Sequence, residues 1–186
     1  MDIMEHLVFL SLGSNVGDRA AMLAKAIEAI AAIPGISLGM PQDVASLYET
    51  APVGGPGGQP RFLNTAARLR TSRTPHDLLR LLLETEATLG RTPGERWGPR
   101  AVDIDLLLFD DSVIESQDLT VPHPRMHERR FVLEPLAEIA PEVVHPRLGL
   151  TTRQLAQRAR VEQEADQVLR IAGPSWVAAS ESLALR

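Results

Sequence analysis

A chain of 186 residues with no cysteine fits one compact domain and excludes disulfides, thiolate zinc sites, iron–sulfur clusters and cysteine nucleophiles. Its formal net charge of -5 argues against non-specific nucleic-acid binding, which draws on a basic surface to displace phosphate counterions. Lys25 is the only lysine; codon bias is the plainer account of this arginine preference, and the planar fork that suits phosphate oxygens is the functional one, but either way a lysine-dependent P-loop is disfavoured.

In chain order, Met1 to His6 lacks the basic segment and apolar run of a secretory signal, and no run of about eighteen apolar residues follows. No membrane contact and a cytoplasmic location are expected. Leu7 to Leu10 reads as a short buried strand running into a loop, Ser11 to Gly17. Asp18 can cap a helix to about Ile33, with Met22, Ala26, Ile27 and Ile30 on one face and Pro34-Gly35 as its stop. Val44 to Glu49 reads as a strand. Ala51 to Pro60 carries too many prolines and glycines for a regular element and is expected to be a long loop over an active site.

Phe62 to Thr71 alternates as a strand, with Phe62, Asn64 and Ala66 on one face. Thr74 caps a helix over Pro75 to Leu89 that Gly90 ends. Leu78, Leu79, Leu82, Leu83 and Leu89 form its apolar stripe, and Glu86 lies on that stripe, where it needs a cation, either Arg91 or a metal. An ordinary salt bridge at the core edge accounts for it equally. Val102 to Phe109 is the clearest strand, with Val102, Ile104, Leu106 and Leu108 on one face. A short strand at Val113-Ile114, an extended Thr120-Val121-Pro122, a helix from about Met126 to Ala140 bent near Pro135, and a helix capped by Thr151 or Thr152 complete the domain. Beyond about Arg160 the pattern fades. The domain is expected over 1–160, with 161–186 a partly ordered extension and the last fifteen residues a loose tail.

Asp103 and Asp105, two apart on a strand, leave the same face roughly 7 Å from each other. One or two hard cations can sit between them, and magnesium completes its shell with water and substrate phosphates. A solvated strand face is the plainer reading, but the continuously apolar Leu106 to Phe109 implies burial on both faces. Arg91, Arg96 and Arg100 stand just before the pair, an arrangement that suits a polyphosphate held between cations and metal, or a set of internal Arg–Asp salt bridges. Trp97, set off by Gly98-Pro99, is a stacking platform for a flat heterocycle or a core residue. His123 and His127 do not read as a zinc pair, because Pro124 intervenes and no third ligand stands nearby; His123 suits a phosphate donor.

Arg96-Trp97-Gly98-Pro99-Arg100, Asp103-Ile104-Asp105, Val121-Pro122-His123 and Arg129-Arg130-Phe131 together closely resemble the 6-hydroxymethyl-7,8-dihydropterin pyrophosphokinase family of the folate pathway. The resemblance runs from Leu12-Gly13-Ser14-Asn15 through Thr50, Phe62-Leu63-Asn64 and Glu86 to about Leu155. It implies an α+β, ferredoxin-like three-layer α-β-α sandwich with a mostly antiparallel sheet. It also implies transfer of the β,γ-pyrophosphate of ATP to the pterin hydroxymethyl oxygen, with release of AMP. By the same resemblance, Asp103 and Asp105 hold two Mg2+ ions and are catalytic with Arg91 and Arg100. ATP meets Glu86, Arg91, Trp97, Arg100, Leu106, Thr120, His123 and Arg129. The pterin lies among Thr50, Pro52, Val53, Phe62, Asn64, Trp97 and Phe131, stacked between Trp97 and Phe131. The partners are these small molecules, with a monomer expected and a dimer left open.

Some positions depart from the family. Thr92-Pro93-Gly94-Glu95 lacks an additional basic residue that some members carry before Arg96, Asp118 stands where some have arginine, and Ala51 replaces a common proline. Two other readings remain: a ferredoxin-like binding module without turnover, against which the intact Asp103, Asp105, Arg91 and Arg100 speak, and a different magnesium-dependent transferase, which lacks its lysine-bearing loop here.

Overall fold

The computed structural model describes residues 5–52, 58–91, 100–163 and 167–177. Strand β1, His6–Ser14, lies between β4, Phe62–Thr71, and β5, Asp103–Phe109, and pairs antiparallel with both. It is longer than its apolar run. Ser11 to Ser14 continue the strand because the neighbours on both sides satisfy their backbone groups, so a stretch rich in turn residues is held extended.

Beyond β4 come β3, Leu47–Thr50, and then β8, Val168–Ala172, giving the order β5-β1-β4-β3-β8, with the two-residue β2, Ile36–Ser37, also on β4. All these pairings are antiparallel. With helix α1 at Arg19–Ala31 and helix α2 at Pro75–Thr88, the units β1-α1-β3 and β4-α2-β5 interleave as two split β-α-β halves, the ferredoxin-like arrangement. A separate hairpin joins β6, Ile114–Glu115, to β7, Thr120–Val121.

Helices cover both faces. On one lie α1, Arg19–Ala31, capped by Asp18, and α2, Pro75–Thr88, capped by Thr74 with Pro75 in its first turn. Each such cap contributes about 1 kcal/mol. Val8, Leu10, Leu12, Leu69 and Leu106 pack beneath them with Leu23, Ile27, Leu78 and Leu82. Leu83, assigned above to the apolar stripe of α2, is 50% exposed; the helix buries a narrower stripe than its leucines allow.

The other face carries α3, Arg130–Ile139, which contains Pro135, and α4, Thr152–Glu162, packed on α3. The helix expected from Met126 is split into a 3-10 turn, Met126–Glu128, and α3, with Arg129 extended between them. Thr151, rather than Thr152, caps α4 in a capping box with Gln154. Phe9, Ala66, Leu107 and Leu108 lie beneath α3. Leu108 was expected beside Leu106, but a bulge opposite Phe9/Leu10 turns Leu107 and Leu108 to the same side. The described part of the C-terminal stretch, residues 167–177, adds an edge strand to the sheet. β8 pairs with β3, and Trp176, buried in the α1–α2 core, donates its indole N–H to the Ala45 carbonyl at 2.9 Å.

Candidate active site

Helix α3 covers only part of its face of the sheet. Side-chain alternation places Ser11 and Gly13 on the face of Phe9, Phe62 and Asn64 on that of Ala66, and Asp103 and Asp105 on that of Leu107. These residues, left uncovered, belong to the lining of a cavity of about 350 Å³, whose rim includes Thr50, Pro52, Gln59, Arg100, His123, Arg129 and Phe131. Register aligns Asp103, Gly13 and Asn64 in one row across β5, β1 and β4. At usual strand spacing the carboxylate and the amide stand roughly 10 Å apart with a trough between them. Gly13 keeps that trough open, since a Cβ there would come within 3.0 Å of Asn64 Oδ1.

The carboxylate side is crowded with charge. Asp103 Oδ1 accepts from Arg100 Nη1 at 2.7 Å and lies 3.2 Å from Arg91 Nη1, while Asp105 Oδ2 is 3.8 Å from Arg129 Nη1. Burial, reinforced by the Asp103 charge, pushes the Asp105 carboxyl up to about 6. Glu86 is 1% exposed on α2 and lies outside the lining. It pairs with Arg91, and its Oε1 accepts from Ile104 N–H at 2.6 Å. Burial raises its pKa, against the pull of Arg91 and the Ile104 amide. The cation that its place in the core demands is therefore Arg91, and one chain of contacts runs Glu86, Arg91, Asp103, Arg100.

His123 is fixed by its backbone N–H to the Leu107 carbonyl at 2.9 Å, and its Nδ1 accepts from Arg125 N–H at 3.2 Å. That leaves Nε2–H to donate to an anion. Burial, with the Arg129 charge next, pushes its pKa down from 6.5 to about 4. The ring is expected to stay neutral at pH 7, and an NMR titration should show its midpoint near 4; a midpoint above 6 would refute the buried, neutral donor. Because the unfolded ring protonates first, this group removes native stability as pH falls from 6.5 towards 4.

The opposite side is apolar and amide-bearing. Asn64 Nδ2 donates to Thr50 Oγ1 at 2.8 Å, beside Phe62, Pro52 and Phe131, and the Arg129 guanidinium lies 5.7 Å from the Phe131 ring centre. Leu106 points its side chain into the α1–α2 core, leaving only its main chain for a ligand, and Thr120 sits half-buried on β7 outside the lining. Val53, Trp97 and Arg96, with the stretch 92–95, lie outside the described residues. Ser11, Ala51, Gln59, Pro124 and Arg125 also line the cavity. No local pattern marks Gln59, while Ser11 could have been found by extending β1 with period two.

The chain matches the family model described as 7,8-dihydro-6-hydroxymethylpterin-pyrophosphokinase over residues 9–141. It is 46% identical over 140 residues to 2-amino-4-hydroxy-6-hydroxymethyldihydropteridine pyrophosphokinase of Bacillus subtilis, covering 75% of this chain and 81% of that one. The same-named protein of Methylorubrum extorquens is 48% identical over 136 residues, 73% of this chain and 84% of the relative. Plasmodium falciparum HPPK-DHPS, solved with pterin and p-hydroxybenzoate, superposes with a TM-score of 0.67 at 16% identity, covering 87% of this chain but 44% of that longer one. At that identity the superposition bears on the fold alone. With the matched model spanning β1 to α3 and relatives alike over most of their length, the chain belongs to the 7,8-dihydro-6-hydroxymethylpterin pyrophosphokinase family.

Proposed function

We infer that the chain transfers the β,γ-pyrophosphate of ATP to the hydroxymethyl group of 6-hydroxymethyl-7,8-dihydropterin, giving the dihydropterin diphosphate and AMP, a step of folate biosynthesis. The observation that carries this reading is a single cavity with a carboxylate–arginine side and an amide–aromatic side. The first suits a triphosphate and the second a flat heterocycle with polar edges.

The donor set fits magnesium bound together with substrate. Among the described residues no cluster of three or more His, Asp and Glu forms a metal cage, whereas magnesium takes one or two carboxylates and fills its shell with water and phosphate oxygens. Asp103 and Asp105 would hold two such ions, which would offset negative charge on the transferring phosphoryl groups. The raised pKa of Asp105 fits this, since a half-buried pair of neighbouring like charges favours a cation between them.

Arg91, Arg100, Arg129 and Nε2–H of His123 would orient the phosphates, with Glu86 holding Arg91 in place and the Leu106 main chain and Thr120 meeting the rest of ATP. Asn64 and Thr50 would read the pterin edge, Pro52, Val53 and Phe62 would close its sides, and Trp97 would stack opposite Phe131. The hydroxymethyl oxygen then bonds to the β-phosphorus as the bridge to the α-phosphate breaks and leaves with AMP, the hydroxyl proton being lost to solvent or phosphate. Positioning and charge screening supply the rate. The enzyme is proposed to work as a cytoplasmic monomer; among the described residues no helix is long and apolar enough to cross a membrane. Incubated with ATP, magnesium and the hydroxymethyl-dihydropterin, the protein should form AMP in amounts equal to pterin consumed, measured by chromatography. ADP as the sole nucleotide product would overturn the assignment.

A further inference from the structure

Asn15 follows directly on β1, is 1% exposed and has no place in the set of site residues assigned above. Its contacts reach two distant parts of the chain. Its backbone N–H donates to the Arg100 carbonyl at 3.2 Å, and its Oδ1 accepts from Arg100 N–H at 2.8 Å. Its Nδ2 donates to Gln59 Oε1 at 3.3 Å. Arg100 is held at both polar groups of its main chain, and its guanidinium meets Asp103 Oδ1 at 2.7 Å. Gln59 lies on the cavity wall that also contains Thr50 and Pro52.

We propose that Asn15 is a positioning residue for both substrates, fixing Arg100 against Asp103 on the phosphate side while pinning Gln59 on the heterocycle side. A carboxamide suits this place because it offers an acceptor to one partner and a donor to the other from a single planar group. Aspartate keeps the acceptor and loses the donor; alanine loses both. At 1% exposure no bulk water replaces a lost bond. Asn15 itself touches neither reacting atom, and it acts through the alignment of Arg100, where a displacement of about 1 Å is enough to cost about 100-fold in rate. The inference rests on the pyrophosphoryl-transfer reading.

The test uses the full chain and four variants: Asn15→Ala, Asn15→Asp, Gln59→Ala and the Asn15→Asp/Gln59→Ala pair. Single-turnover AMP formation and hydroxymethyl-dihydropterin affinity are measured, with thermal unfolding as the control for fold. Asn15→Ala should slow the single turnover by about 100-fold with the fold intact, and Asn15→Asp should recover about tenfold of that, since the Arg100 amide keeps its acceptor. Gln59→Ala should weaken pterin binding, and adding Asn15→Asp should weaken it by no more than about twofold further, because both remove one bond. A rate for Asn15→Ala within about threefold of the unaltered protein overturns the proposal, as does an Asn15→Asp no faster than Asn15→Ala. If Asn15→Ala does not fold, additive losses of affinity in the pair overturn it instead. Absence of AMP with the unaltered protein would refute the transfer reading itself and is seen before any variant is compared.

Discussion

Asp103→Ala and Asp105→Asn are each expected to lower AMP formation by about 10³-fold or more while leaving the fold intact. The size follows from the role. A reaction that spreads negative charge over phosphate oxygens depends on preorganised countercharge, and these two side chains are the acidic groups of the cavity lining. The stability side has the opposite sign. Burial beside Asp103 raises the folded pKa of Asp105 to about 6, above its ordinary 3.8, so the ionised group costs stability above that pH, and the cost is relieved as pH falls. Asp105→Asn is therefore expected to melt at the same temperature as the unaltered protein or higher at neutral pH. Activity within about tenfold of normal in either variant would remove the metal role.

Arg91→Leu is expected to cost about 3 kcal/mol of folding stability, because it leaves Glu86 as a buried carboxylate without its cation. In a chain of this size that lowers the melting temperature by roughly 6–12 °C. Arg91 is one-third exposed, which places the expectation at the low end for a buried pair. Adding Glu86→Gln to Arg91→Leu should return about 1–2 kcal/mol, since glutamine keeps an oxygen for the Ile104 amide at 2.6 Å and removes the stranded charge. Urea unfolding of both single variants and the pair measures this. Arg91→Leu costing under about 1 kcal/mol, or a pair that is simply additive, would show that Glu86 does not depend on Arg91.

The acidic pair and Glu86 are legible in the sequence in different ways. Asp103 and Asp105 could be placed on one face from spacing, because strand alternation is local and needs no partner. Glu86 could be picked out as misplaced on its helix, but whether a metal or Arg91 answered it depended on which group folded back against α2. The same distinction runs through the fold. Helices α1, α2 and α4 start at the residues whose side chains cap them, Asp18, Thr74 and Thr151, since a cap acts within three residues. Ser11 to Ser14 read as a loop and are central strand, and Val168 to Ala172 carry no strand pattern yet pair with β3, because an exposed backbone edge rewards pairing whatever the side chains prefer. Leu108 faces away from Leu106 because of a bulge that only the neighbouring strand reveals.

The amino-acid sequence by itself determined the starts of α1 and α2, the alternation of β4, the acidic pair with its arginines and the family resemblance, all of which rest on short-range periodicity or contiguous motifs. Only the tertiary structure decided that α3 leaves part of the sheet bare, that Gly13 separates Asp103 from Asn64, and that Asn15 reaches Gln59 and Arg100. Those last contacts span 44 and 85 residues of chain. Contacts at such separation form only when packing of the whole sheet repays the entropy of closing the intervening chain, and no local pattern records them.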